Sequence, residues 1–140
     1  MALGMTKITN AEVFSTIVIA NGVLEWASEE SEGTEINVST SEQVIDCMLQ
    51  VEITFGGAPD DTAELHLRYS NDEGTTLDTE EVKTFATSID EVTSSTIIYS
   101  YRIPGMFDYL DVGIKNNDGS ETISCVVSAT YTKLTGLEIS

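Results

Sequence analysis

Hydrophobic residues recur on alternate positions through most of this chain. In VIDCMLQVEITF, residues 44–55, Ile45, Cys47, Leu49, Val51, Ile53 and Phe55 share one phase, while Asp46, Gln50, Glu52 and Thr54 take the other. Alternation of that length predicts a half-buried β-strand. AELHLRYS repeats the pattern with Ala63, Leu65, Leu67 and Tyr69, and the APDD turn between the two segments predicts that they pair antiparallel. STIIYSYRI sets Ile97, Tyr99, Tyr101 and Ile103 on one phase and stops at Pro104-Gly105. In DYLDVGIKNNDGSETISCVVSATY, alternating runs flank NNDG, which predicts a β-hairpin with NNDG as its bend. VKTFATSI, carrying Lys83, reads as an edge strand.

The segment VFSTIVIA, residues 13–20, is different, because it is apolar on both phases. Such a strand is either internal or covered by a neighbouring subunit, so Val13, Phe14, Ile17, Val18 and Ile19 are candidate subunit contacts. Residues 1–12 show no period and read as an N-terminal arm, with residues 13–140 as a single domain. No stretch carries a period of 3.6 over the dozen residues that a stable helix wants. Many short strands between turn signals predict an all-β protein, an antiparallel β-sandwich of about eight strands and of jelly-roll type.

Charge narrows the partners. The 140 residues include 24 acids and 6 bases, a formal charge of −18, with 41% hydrophobic residues. A surface of that sign repels phosphate, so neither nucleic acid nor an anionic membrane is an expected partner. The N-terminus has no basic region, and Glu12 precedes the first apolar run, which argues against a signal peptide and for synthesis in the cytoplasm. No apolar run approaches the roughly 18 residues needed to cross a bilayer.

Candidate chemistry is sparse. His66 is the only histidine and lies on the polar phase of its strand, away from Cys47 and Cys125, which read as buried free thiols rather than a disulfide. No nucleotide loop, zinc-protease motif or singled-out carboxylate pair is present, so neither an enzyme nor a bound cofactor is expected. Three acidic clusters offer oxygen ligands: Asp60, Asp61 and Glu64; Asp72, Glu73 and Asp78; and Asn116, Asn117, Asp118 and Glu121. None follows the spacing of a calcium loop, and solvated charge is the preferred reading, with no metal site assigned. A carbohydrate-binding sandwich would need exposed rings. Tyr69, Tyr99, Tyr101 and Tyr131 share phase with aliphatic residues and read as core, leaving Trp26 and Tyr109 for that role.

The segments EINVSTSEQVIDCMLQVEITFGG, LHLRYSNDEGTTLDT and YRIPGMFDYLDVGIKNNDGSETISCVVSATYTKLTG occur in an order that resembles small β-sandwich virion proteins of tailed bacteriophages. The shared outline is a long strand, a YS.D.G turn, an aromatic-rich strand ending in Pro, a V.I.N.DG bend and a terminal TG, over residues 35 to 136. The resemblance implies a structural virion protein: a capsid decoration or cement protein, or a tail component. It implies copies of the chain itself and major capsid or tail proteins as partners, and the virion as its location. It carries over no catalytic or ligand residue.

Overall fold

A computed structural model describes residues 4–39, 41–57, 61–70, 72, 74–77, 86–89 and 96–135. Nine strands run through them: β1 (Gly4–Ile19), β2 (Leu24–Trp26), β3 (Ile36–Asn37), β4 (Gln43–Thr54), β5 (Ala63–Ser70), β6 (Ala86–Ile89), β7 (Thr96–Ile103), β8 (Tyr109–Asn116) and β9 (Ile123–Thr135). One 3-10 turn, Ala27–Glu29, interrupts the path from β2 to β3. The first sheet has the order β1-β9-β4-β7, and the second β2-β8-β5-β6 with β3 on β8 beside β2. Every pairing is antiparallel, and the protein is an all-β sandwich.

The pairs are nested. β5 pairs with β6, β4 with β7, β2 and β3 with β8, and β1 with β9. The chain therefore behaves as one long folded-over ribbon whose far bend lies between β5 and β6. Two sequence expectations fail for this reason. β4 and β5 do not pair across residues 55–62, because they belong to opposite sheets. Nor do β8 and β9 form a hairpin: NNDG is a bend, but it carries the chain from one sheet to the other.

The core lies between the sheets. Leu49, Val51 and Ile53 of β4, Leu65 and Leu67 of β5, Leu110, Val112 and Ile114 of β8, and Ile123, Cys125 and Val127 of β9 are all buried there. Burial of each large side chain contributes roughly 1.5–3 kcal/mol. In β4 the alternation slips once: a register shift between Val44 and Asp46 buries Val44 and leaves Ile45 only half-covered.

β1 corrects two further expectations. Residues 4–12 do not form a free arm, since Gly4 to Ala11 pair with Thr135 to Ala129 of β9. Nor are most of the apolar residues of 13–19 available to a neighbour, because Val13, Phe14, Ile17 and Ile19 are buried in the chain's own core. Register shifts between Ile8 and Ala11, Glu12 and Phe14, and Phe14 and Ile17 explain the double apolar phase. A bulge turns successive residues toward the same side, so Val13 and Phe14 both point inward. Among the five candidates only Val18 is exposed, at 64%.

β6 ends the second sheet, in keeping with an edge strand at residues 86–89. Lys83 lies outside the described residues.

Candidate functional site

The two outer faces of the sandwich are built from the same alternation but finished differently. On the second sheet, the outward row across β2, β8 and β5 is Trp26, Gly113, His66, and the next is Asp111, Arg68. His66, Arg68 and Asp111 are polar, yet the rows are largely closed off from water: Trp26 is 7% exposed, His66 5% and Asp111 0%. The turn at Ala27–Glu29 brings its own donors over them. Ser28 donates its backbone N–H to Asp111 Oδ1 at 3.0 Å and its hydroxyl to Oδ2 at 2.5 Å. Arg68 donates Nε to Asp111 Oδ2 at 2.8 Å, with Nη2 2.7 Å from the same oxygen. The guanidinium also lies 4.1 Å from the centre of the Trp26 ring, a cation–π contact that occupies the face of that ring.

Gly113 makes this arrangement sterically feasible. A Cβ there would stand 2.8 Å from the Trp26 ring, so the absence of a side chain lets the indole lie on β8. His66 meets the same indole edge-on at 6.3 Å between ring centres. Its Nε2 is 3.3 Å from Glu64 Oε1 but off the line of a hydrogen bond, and Nδ1 has no partner. Cys47 and Cys125 lie in the core between the sheets, on the far side from His66. Both thiols are free, and burial pushes each up to about 12. Tyr109, further along the outer face, is 5% exposed, with Gly74 of the following loop against its ring. Gly74 adopts φ +90°, which a side chain would strain. Trp26 and Tyr109 are therefore not the exposed rings that a sugar platform would need.

The acidic clusters are largely engaged by the protein's own donors. Asp118 Oδ1 accepts the backbone N–H groups of Ser120 and Glu121, each at 2.8 Å. Asn116 donates Nδ2 to the carbonyls of Ile19 and Glu121, which ties the bend to β1. Glu64 accepts from Asn117 Nδ2 at 2.6 Å, Asp61 from the Thr62 N–H at 2.8 Å, and Asp72 from the Thr76 N–H at 2.7 Å. Asp60, Glu73 and Asp78 lie outside the described residues. Among the described residues no group of three or more His, Cys, Asp or Glu side chains is placed to hold a metal ion. Charge does crowd beside β2, where Glu25 shares a hydrogen bond with Glu30. That bond, then partial burial, then the charges of Glu30, Glu29 and Glu32 push the Glu25 carboxyl up to about 7.

The outer face of the first sheet has no such cover among the described residues. Its rows across β9, β4 and β7 read Ser124, Thr54, Thr96; Val126, Glu52, Ile98; Ser128, Gln50, Ser100; and Thr130, Met48, Arg102. Glu52 is the one acid within these rows, while Glu12 of β1 pairs with Ser128 beside them and Asp46 of β4 lies 3.6 Å from Arg102 at their end. Ile98 is 58% exposed and Met48 40%, and β1 adds Val18 beside Ser124. The centre of this face is rich in hydroxyls and carries few charges on a molecule of charge −18. Sequence reasoning missed it because it counted these residues only as the polar phase of their strands. The signal was present: Thr, Ser, Ile, Val and one Arg, rather than Asp or Glu, fill that phase in β7 and β9.

No family model matches the chain, and no match was found among curated proteins.

Proposed function

We propose that this chain is a structural subunit of a tailed-phage virion, most simply a capsid decoration or cement protein that stabilises the particle through contacts with its own copies and with shell subunits. The nested strand order supports a finer reading of the fold as a jelly roll, an architecture that viral capsid domains use. Fold alone does not specify a role. The observation that carries the proposal is the outer face of the first sheet, uncovered among the described residues and hydroxyl-rich at its centre, where contact with another subunit meets little repulsion and only light desolvation. The buried rings of the second sheet do not favour a glycan-binding role.

Mass spectrometry of purified virions from the phage that encodes the chain is the test. The proposal expects the protein in stoichiometric copies in the head fraction. Recovery with isolated tails would move the same subunit to the tail, and absence from both fractions would overturn the reading.

A further inference from the structure

Among the described residues, β7 is the least protected strand edge. Its pairing with β4 runs through eight consecutive partners, Thr96 to Ile103, without a register shift. It has no proline or lysine, and one charged residue, Arg102. Among the described residues no backbone hydrogen bond reaches its other side, where the sheet ends. A long, regular edge with a single charged residue is a template for another strand. The other edges are short or blunted, and β6, which ends the second sheet, is four residues long. β1 carries three register shifts, Asn10 at φ 53°, and Lys7, and residues 32–34 bond to its Val13 and Ser15. β2 and β3 are three and two residues long.

We propose that β7 is a self-pairing edge: it adds antiparallel to β7 of a second copy, joining two four-stranded sheets into one across a two-fold axis. A two-fold contact must be self-complementary, and this strand is. Turned antiparallel about Tyr99, it sets Ile97 opposite Tyr101 of the second copy and Ile98 opposite Ser100. Ile97, Tyr99 and Tyr101 are only partly buried against the core, and a neighbouring strand would complete their cover. Tyr99 and Tyr101 already lie 6.0 Å apart, a ready aromatic surface. Charge favours the same occupant, since copies of charge −18 approach most easily where acids are absent, and β7 has none.

The inference deepens the subunit role above and rests on it for the choice of a second copy, but its test needs only the isolated full chain. Light scattering over a concentration series should show wild-type protein reaching twice the 15.2 kDa chain mass. The double variant Ile98→Lys/Ser100→Lys sets like charges directly across the axis and should remain at the monomer mass. The glutamate pair Ile98→Glu/Ser100→Glu is made alongside, so that one variant folded by circular dichroism suffices. Val18→Lys, at the opposite edge of the same face, should leave the dimer intact. Wild-type protein that stays monomeric throughout, a folded double variant that still dimerises, or a Val18→Lys variant that dissociates would each overturn the proposal. A monomeric wild type would leave recovery from virions unaffected, whereas absence from virions would leave the dimer standing.

Discussion

Among the described residues, the second sheet has its outer face sealed by its own chain, and the first has its outer face bare. On the sealed side a charged pair, two aromatic rings and a histidine are withdrawn from water beneath the 27–29 turn and the loop after β5. On the bare side most outward residues are small, hydroxylated or aliphatic, with Glu52, Gln50 and Arg102 among them, and no described segment lies over them. The difference separates stability from availability. The sealed side resists change because each polar group there depends on a specific partner, while the bare side can be altered freely until another subunit lies on it.

Substitutions should expose that contrast. The largest effect is expected for Asp111→Ala, which leaves the Arg68 guanidinium largely buried without its carboxylate, and Ser28 without its acceptor. Removing one partner of a buried pair costs about 3–5 kcal/mol, measurable as a lower midpoint in urea unfolding. Gly113→Ala comes next, since the added methyl must displace the Trp26 ring and disturb its stack with Arg68. Overpacking of this kind costs about 1–3 kcal/mol, and the same unfolding measurement checks it.

A smaller effect should appear as pH dependence. The Glu25 carboxyl titrates at about 7 in the folded chain, above its ordinary 4.5, chiefly because it shares a hydrogen bond with Glu30. The folded state therefore holds a proton that the unfolded state has already lost, and stability from this group falls as pH rises from about 4.5 to 7. Melting temperature should decline across that window, and Glu25→Gln should flatten the decline. The smallest effect is expected on the bare face: Gln50→Ala should change monomer stability by no more than about 0.5 kcal/mol. A large loss there would mean that the face is structurally engaged, and the contrast between the sides would collapse.

The sequence made the strands legible, but not their partners. Alternation in residues 44–55, 63–70, 97–103 and 109–131 states which side of a strand faces the core, and the burial of β4 from Cys47 and of β9 from Ile123 to Ala129 follows it, while β8 is buried on both phases. Alternation does not state which strand lies alongside. Leu110, Val112 and Ile114 would face inward whether β8 paired with β9 or with β5, so the NNDG bend looked like a hairpin. What distinguishes the outcomes is the Asn116 side chain bonded to the backbone of Ile19, 97 residues away. The same limit hid the Arg68–Asp111 pair, whose members stand 43 residues apart, and made Trp26 look like a free ring. At residues 13–20 the double apolar phase is compatible with an internal strand or an intersubunit surface, and the bulges in β1 decide for the first, burying Val13, Phe14, Ile17 and Ile19 in the chain's own core.

The central claim is that the first sheet's open side, ending at β7, is where this protein meets another copy. Amide hydrogen exchange measured at low and high protein concentration tests it residue by residue. The account expects residues 97–102 to gain protection as concentration rises, while β2 and β8 on the sealed side keep the same rates. Unchanged exchange along β7, or a gain confined to the second sheet, would contradict it.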